Sequence, residues 1–464
     1  MSNRPLMRAI RRVWRLLGVV LPLIMCVDLV AAMAQECAFV VSQAEVAVLN
    51  TEVNELVVSQ LISGNPILSD VAISSDVRHL LTTGIIQSGA ACSGFLFDLD
   101  PAQVSDGVRN ISGIAACDPN AQIVISPNSR FAYISTIGPN GHTVAVIDAD
   151  TMETVTPSIV IRSDVERGQR AGLAVDPRGQ FVLAAGFLPA HANGPLDLYV
   201  DAIDTETNLL RPQIVNIGPI GPGASVSSLT SSIVVSPDGA RAYVAVGRQI
   251  LGRGESQVLI VDTQTLGELD RYELGGSSSD LHIALSPDGR FAYVAGQEEG
   301  AVGVHRGGLS VIDTVNHTVV VDLSQNCAAG NTLCGNFGPV GLTGDGRLLY
   351  TTLFDGDFFG LLAFSVAGPT LRVSAMIPDM FPTALTIRSV EGACPPPQPP
   401  LSCVGDCDVS GAVIVNELIT IVNIALGNTP LSACTAGDAD GSGDITINEI
   451  IAAVNNALTA CPAS

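Results

Sequence analysis

The sequence predicts a mainly β protein, a seven-bladed β-propeller closed by strands from both ends of one domain, followed by a small α-helical calcium-binding domain. Three observations predict this organisation. A unit of roughly fifty to sixty residues recurs over most of the chain, which is typical of a repeat architecture. Five prolines then fall within residues 395–400. Two twelve-residue acidic loops, offset by 32 residues, lie near the carboxyl end.

The first 34 residues are expected to be a secretion signal. Five arginines precede an apolar run at residues 16–24, and residues 32–34 read Ala-Met-Ala, a small-residue cleavage pattern. A retained membrane anchor is the alternative, because only Asp28 interrupts the apolar region. No later stretch is apolar for long enough to span a bilayer. We therefore expect an extracytoplasmic protein, secreted or on the cell surface of a bacterium, with no membrane insertion after signal removal.

The charge of the mature chain excludes several kinds of partner. Removing the signal takes away five arginines and one aspartate, which moves the formal charge from −23 to −27. No basic patch is present to neutralise phosphate, so nucleic acid is not an expected partner. All 22 basic residues are arginine, which excludes lysine chemistry such as a Schiff base.

Six hairpin turns mark the repeat. The clearest copies are SPDGARAYVAV at Ser236 and SPDGRFAYVAG at Ser286, and a turn of this composition between apolar runs predicts a β-hairpin. Weaker copies begin at Ser74, Ser126, Asp176 and Thr343. After five of the turns comes an apolar strand that ends in aspartate, at Asp98, Asp148, Asp204, Asp262 and Asp313. We expect these aspartates to cap the following turn, which is a structural role.

The two ends of the repeat region predict a seventh blade. Residues 37–62 have the pattern of the last three strands of a blade, and Pro382–Ser389 supplies the missing first strand. Pairing them closes the ring over residues 35–391 and removes open sheet edges. Cys394 follows the closing strand where Cys37 precedes its neighbour, so we predict a disulfide between these two cysteines.

The repeat unit, SPDG followed by an AYVA-like strand and then VID with a threonine, resembles the YVTN family of seven-bladed propeller repeats over about residues 37–388. The resemblance implies the fold. It leaves the function open, because propellers host binding proteins, lactonases and redox enzymes alike.

A catalytic set is not evident at the expected mouth of the propeller channel. The residues four positions before each turn are Asp70, Gln122, Gly172, Ser232, His282 and Pro339. One carboxylate and one imidazole among neutral residues do not make an acid–base pair unless they lie within hydrogen-bond reach. His282 is the best single candidate, with a structural role at a strand start as its alternative. We therefore expect no catalytic residue and no cofactor in the propeller.

Residues 392–402 are expected to form a Pro-rich, extended linker to a domain at residues 403–464. Ten cysteines remain after signal removal, an even number that favours disulfides in an exported chain. Four of them are expected to form disulfides within the carboxyl-terminal domain.

The two acidic loops, Asp406 to Glu417 and Asp438 to Glu449, have the spacing of calcium loops, with glycine at position 6 and oxygen ligands around it. The predicted ligands of two calcium ions are Asp406, Asp408, Ser410, Ala412 (backbone carbonyl), Glu417, Asp438, Asp440, Ser442, Asp444 (backbone carbonyl) and Glu449. Seven carboxylates without any basic residue after Glu391 repel one another unless a cation neutralises them. A pair of solvated acidic turns is the alternative.

An apolar helix is expected after each loop. Residues 418, 419, 422, 425 and 426 recur 32 positions later as residues 450, 451, 454, 457 and 458, all apolar. This spacing places them on one helix face, and we expect the two faces to bury each other in one small core.

A duplicated calcium loop with only its exiting helix resembles a type I dockerin over about residues 403–461. The resemblance implies calcium at the positions already named and a cohesin-like protein partner. The chain departs from the dockerin pattern at loop position 12, where it has Glu417 and Glu449 in place of aspartate. The positions that dockerins use for cohesin contact are here residues 415–416 and 447–448, Val-Asn and Ile-Asn.

Together these patterns favour a secreted or surface binding protein without catalytic activity. The propeller would serve as an interaction platform, and the tail would attach it to a cohesin-like or other surface protein. The alternative is a secreted lactonase-like propeller hydrolase docked through its tail. A redox enzyme is a third option, but the chain has no haem or flavin motif.

Overall fold

The computed structural model divides the chain into two compact units, Met1–Cys394 and Pro395–Ser464. It describes residues 35–42, 44–62, 66–88, 91–99, 109–112, 118–138, 140–163, 165, 170–188, 197–211, 215–219, 226–250, 253–274, 280–297, 308–322, 336–354, 359–378, 382–390, 404–407, 413–437 and 445–459. The predicted signal at residues 1–34, the whole predicted linker at residues 392–402 and most of the two predicted calcium loops lie outside this part of the chain. Within it, no helix is both long and apolar enough to cross a membrane.

The strands of the first unit are β1 (Gln35–Ser42), β2 (Glu45–Asn50), β3 (Glu55–Leu61), β4 (Ile67–Ile73), β5 (Leu80–Ser88), β6 (Ala91–Leu99), β7 (Arg109–Ser112), β8 (Gln122–Ile125), β9 (Phe131–Gly138), β10 (Gly141–Asp148), β11 (Thr154–Arg162), β12 (Gly172–Val175), β13 (Phe181–Phe187), β14 (Asp197–Asp204), β15 (Leu209–Leu210), β16 (Val215–Pro219), β17 (Val226–Val235), β18 (Arg241–Ile250), β19 (Arg253–Asp262), β20 (Glu268–Leu274), β21 (Asp280–Leu285), β22 (Phe291–Gln297), β23 (Gly308–Asp313), β24 (Thr318–Asp322), β25 (Asn336–Leu342), β26 (Leu348–Phe354), β27 (Phe359–Ala367), β28 (Thr370–Pro378) and β29 (Ala384–Val390).

These strands form seven antiparallel sheets, the blades of a β-propeller. Blade 1 has the order β29-β1-β2-β3, and blade 2 contains β4 to β7. Blades 3 to 7 begin at β8, β12, β17, β21 and β25, and each first strand is the innermost of its blade. Blade 4 has a fifth strand, because β16 also pairs with β14. Each innermost strand contacts that of the next blade, and β29 contacts both β25 and β4, so the ring is closed.

The closing blade confirms the predicted pairing of the two ends of the domain. β29 pairs antiparallel with β1, with Val40 opposite Leu385. The side chain of Tyr350 in blade 7 adds a second link, since its hydroxyl donates to Asn54 Oδ1 of blade 1 at 2.5 Å. Cys37 is disulfide-bonded. Its predicted partner Cys394 lies outside the described residues, so that pairing stays a prediction.

The apolar core lies between neighbouring blades. Alternate residues of each strand face opposite sides of a sheet, so each blade presents apolar side chains to both of its neighbours. Phe187 and Val200 of blade 4, for example, share one buried cluster with Val244 and Leu259 of blade 5. The closed ring therefore buries both faces of every blade without needing a central hydrophobic core.

The hairpin turns explain the SPDG sequence. The Ser236 hydroxyl donates to Asp238 Oδ1 at 2.5 Å and accepts the Arg241 N–H at 3.0 Å, which closes the turn. The glycine has a left-handed backbone, with φ +70° at Gly289. A Cβ at Gly289 would lie 3.0 Å from Pro237 Cδ, so the turns of successive blades pack against one another.

Four of the five strand-end aspartates cap their turns as predicted. Asp148, Asp204, Asp262 and Asp313 each accept the backbone N–H of the residue three positions further on, at 2.7–3.0 Å. These backbone bonds are the main reason that the pKa of each of the four carboxyl groups lies below its usual value. Asp98 differs, because its carboxylate lies 3.2 Å from His79 Nδ1.

The second unit contains two helices, α1 (Val415–Ala425) and α2 (Ile447–Thr459), and two short 3-10 helices, Leu431–Ala433 and Thr435–Gly437. A disulfide joins Cys407 to Cys434. The duplication is visible in the packing: a Cβ at Gly405 would lie 2.6 Å from Ala453 Cβ of α2, and one at Gly437 would lie 2.8 Å from Ile421 Cγ2 of α1. The glycine before each loop thus packs on the helix of the other repeat.

The predicted apolar face of these helices was correct only at Leu418 and Ile450, which pack against the core of the unit. Ile421, Ile424 and Ala453 lie in the core, whereas six members of the predicted stripe are exposed: Ile419, Val422, Ala425, Leu426, Ile451 and Val454. The physical reason is Glu417, which is buried and faces the first loop. Residues four and seven positions after Glu417 share its helix face, so residues 421 and 424 point inward and residues 419, 422 and 426 do not.

Candidate functional site

Three of the six predicted channel positions link neighbouring blades of the ring. Asp70 Oδ2 accepts the Ile123 N–H at 2.9 Å, and Gln122 Oε1 accepts the Leu173 N–H at 3.0 Å. Ser232 Oγ lies 3.4 Å from Ile283 N, at the long end of a hydrogen bond. In each case a side chain on one innermost strand reaches the backbone of the next blade. These three positions therefore have a structural use, and Gly172 and Pro339 carry no polar side chain.

His282 makes a different contact. Its Nε2 lies 3.1 Å from Nη1 of Arg170, which stands just before β12 in blade 4. His282 belongs to β21 of blade 6, so a direct contact between the two side chains has to pass over the channel side of blade 5. Arg170 is a donor only, so His282 Nε2 accepts and the proton of a neutral ring lies on Nδ1.

Asp70 belongs to the same electrostatic environment. Burial raises the pKa of this carboxyl group, while the Ile123 N–H and the positive charge of Arg170 partly offset the increase. A carboxyl, a guanidinium and an imidazole group are therefore carried by blades 2, 4 and 6. Sequence reasoning missed Arg170 because it lies two residues before its strand, outside the position compared across the repeats.

A second polar cluster contains a serine and a histidine in contact but has almost no access to solvent. Ser135 Oγ lies 2.8 Å from His142 Nε2, and the Tyr199 hydroxyl lies 2.6 Å from His142 Nδ1. His142 and Tyr199 have no exposed surface, and burial lowers the pKa of His142 to about 3. This histidine is neutral and inaccessible, so we assign it a structural role.

Beside this cluster Asp201 is completely buried and pairs with Arg162, whose Nε lies 3.0 Å from Asp201 Oδ2. Burial raises the pKa of Asp201 to about 6, and Arg162 only partly opposes the increase. The pair links blades 3 and 4 and is likewise structural.

In the second unit, three predicted calcium ligands are described, and all three carboxylates are 6% exposed: Asp406, Glu417 and Glu449. Glu417 Oε1 accepts the Cys407 N–H at 2.7 Å, and its Oε2 accepts the Ile414 N–H at 2.8 Å. Glu449 Oε2 accepts the Thr446 N–H at 2.7 Å. Both position-12 glutamates thus bind the backbone at loop position 9, and the two loops have matching ends.

The other seven predicted ligands lie outside the described residues: Asp408, Ser410, Ala412, Asp438, Asp440, Ser442 and Asp444. Among the residues that the structure does describe, no group of three or more His, Cys, Asp or Glu side chains is arranged to hold a metal ion. The described carboxylates nevertheless fit a cation, because they are buried in a unit whose sequence has no basic residue, and each ionised oxygen can accept more than one bond.

Solved structures share the propeller fold. A protein of Bacteroides uniformis described as a candidate 6-phosphogluconolactonase matches with a TM-score of 0.52 and 13% identity, over 77% of this chain and 100% of that one. A protein of Desulfotomaculum acetoxidans of unknown function matches with a TM-score of 0.50 and 18% identity, over 76% and 98% of the two chains. At these identities the likeness shows the fold alone.

A periplasmic gluconolactonase of Pseudomonas aeruginosa matches with a TM-score of 0.49 and 18% identity, over 77% of this chain and 100% of that one. No protein-family model matches the chain. No curated protein matches it either.

Proposed function

We propose that this chain is an exported binding protein, with the propeller as a rigid interaction platform and a calcium-stabilised tail that docks on a protein partner of the cohesin-like or surface type. The observation that carries the proposal is the duplicated apolar face left exposed on the two tail helices. Ile419 and Ile451 are 55% and 53% exposed, and Val422 and Val454, again 32 residues apart, are 39% and 37% exposed.

This helix face supports a protein partner rather than nucleic acid or an anionic surface. Branched apolar side chains repeated at the same positions on two helices are unusual on a solvated surface and typical of an interface. The tail carries no arginine, lysine or histidine, so it offers nothing to neutralise phosphate. An apolar and neutral protein surface is the complementary partner.

Calcium is the proposed structural cofactor of the tail. Asp406, Glu417, Asp438 and Glu449, with the other six predicted ligands, would hold two ions. The bound ions would neutralise the seven carboxylates and fix the backbone of both loops. The hydrogen bonds from Ile414 and Thr446 to the position-12 glutamates already orient these side chains toward the loops.

Export is supported by cysteine usage. Cys407 and Cys434 form a disulfide, and Cys37 is disulfide-bonded as well. Such bonds persist in oxidising compartments outside the cytoplasm.

Two measurements test the binding proposal. Hydrogen exchange of the full chain should show amides of α1 and α2 gaining protection when millimolar calcium replaces EDTA, with the blades unchanged as the internal control. Surface plasmon resonance on a type I cohesin domain should then show calcium-dependent binding that Ile419→Asp combined with Ile451→Asp abolishes. Equal hydrogen exchange in calcium and in EDTA would contradict the calcium proposal. A calcium-loaded tail that does not bind the cohesin domain would contradict the proposed partner.

A lactonase-like hydrolase is the second candidate, favoured by Arg170, His282 and the Asp70 carboxyl group. In such an enzyme Arg170, held by His282, would stabilise the oxyanion formed at the lactone carbonyl, and the Asp70 carboxylate would accept the proton of the attacking water. A pH-stat assay with glucono-1,5-lactone decides between the two functions. Hydrolysis above the spontaneous rate that Arg170→Gln abolishes favours the enzyme, and equal rates with and without the protein favour the binding protein. The exposed Arg347→Gln is the control.

A further inference from the structure

We infer that the Cys407–Cys434 disulfide preorganises the first calcium loop, so that this loop binds calcium more tightly than the second and loses the advantage on reduction. The inference rests on the proposed calcium function of the tail and adds a redox control to it. Its basis is the position of the disulfide, which lies inside one loop and outside the other.

Cys407 is the second residue of the first loop, between the predicted ligands Asp406 and Asp408. Its sulfur is bonded to Cys434, which is 2% exposed in the core of the tail. Its backbone N–H donates to Glu417 Oε1 at 2.7 Å, so the same residue contacts the last ligand of the loop. The disulfide thus anchors the backbone next to the ligands at positions 1, 3 and 12.

A second bond fixes the same segment. The Gly405 N–H donates to the Ala436 carbonyl at 3.0 Å, beside the disulfide and directly before Asp406. Gly405 also packs against Ala453 of α2. The amino end of the first loop is therefore held on the core by a covalent bond, a hydrogen bond and packing before any ion arrives.

The second loop has matching packing and a backbone bond at Gly437, against Ile421 and Cys434, but it contains no cysteine and so has no covalent anchor of its own. Its second residue is Ala439, which has no thiol, and Cys434 lies four residues before its first ligand, Asp438. Reduction of the disulfide would therefore free a backbone position within the first loop. At the second loop it would free only the segment before the first ligand.

The expected effect follows from chain entropy. A flexible loop has to be ordered when it binds an ion, and the cost is lower when the loop is already held in place. Freeing one loop residue should weaken the first site about tenfold.

The test uses single-site full-length chains in calcium calorimetry. Glu449→Gln leaves the first site and Glu417→Gln leaves the second, and each is prepared with and without Cys407→Ser plus Cys434→Ser. The cysteine changes should weaken calcium binding about tenfold in the Glu449→Gln chain and less than about threefold in the Glu417→Gln chain. Equal weakening in both chains, or none in either, would overturn the inference.

A second measurement keeps the test decisive if the serine variants do not fold. By linkage, calcium should protect the disulfide of the wild-type chain by the same factor by which the disulfide tightens calcium. The reduced fraction of Cys407 is measured by alkylation and mass spectrometry in glutathione buffers with calcium or EDTA. Equal reduction in both buffers contradicts the inference, whereas a wild-type chain that binds no calcium contradicts the proposed function itself.

Discussion

Arg170 Nη1 lies 3.1 Å from His282 Nε2, although the two residues are 112 positions apart and belong to blades 4 and 6. Other side chains at the predicted channel positions reach only the next blade, as Gln122 does. This contact instead joins blades that are not neighbours, so it reports on the geometry of the ring as a whole.

The contact predicts energetic coupling between the two side chains. In a double-mutant cycle of Arg170→Gln and His282→Gln, the free energies of unfolding should deviate from additivity by about 0.5–3 kcal/mol, as for residues in direct contact. Urea unfolding measures the four chains. A control cycle of His282→Gln with Arg347→Gln should be additive, because the Arg347 side chain is 84% exposed. Additive free energies in the first cycle would contradict the contact.

A methyl group at Gly186 should disturb the buried cluster between blades 3 and 4. A Cβ there would lie 2.4 Å from the Tyr199 hydroxyl, which is held by His142 and has no exposed surface. Gly186→Ala should therefore lower the free energy of unfolding by about 1–3 kcal/mol, the usual effect of overpacking. The matched control is Gly267→Ala, whose Cβ would lie 3.5 Å from Thr265 Oγ1. Equal stability of the two variants would mean that Tyr199 has room to move.

His142 should make the propeller less stable as the pH falls. Burial lowers its pKa from 6.5 to about 3, so the unfolded chain binds the proton first. The stability it contributes is complete above pH 6.5 and is lost as the pH falls toward 3, by up to about 1.4 kcal/mol per pH unit. The raised pKa of Asp201, about 6, acts in the opposite direction and favours the folded chain as the pH falls.

The contribution of His142 is isolated by comparing the wild type with His142→Gln in denaturant unfolding between pH 6.5 and 5. Asp201 is present in both chains and cancels, so the variant should lose less stability per pH unit than the wild type. A parallel pH dependence for wild type and His142→Gln would show that His142 is not kept neutral by burial.

The ring closure could be predicted because the strand pattern of each end of the domain can be read from its own residues. Residues 37–62 and 382–389 each have strand patterns that lack a partner, and β1 and β29 pair as those patterns require. The turn aspartates were predicted for the same reason, since Asp262 binds residues only two and three positions away.

The exposed face of α1 could not be predicted from periodicity. Residues 418, 419, 421, 422, 424, 425 and 426 are all apolar, so more than one stripe fits a helix period. The buried glutamate decides between the stripes, because Glu417 bonds the backbone of its loop and turns residues 421 and 424 inward. Arg170 was missed because it lies two residues before its strand, outside the repeat position compared, and because its partner His282 is near only in the closed ring.

The most direct test of the proposed calcium tail is the stoichiometry of calcium binding to the full-length chain by isothermal titration calorimetry. The wild type should bind two ions, and Glu417→Gln and Glu449→Gln should each bind one. A wild-type chain that binds no calcium, or variants that still bind two ions with unchanged affinity, would contradict the account.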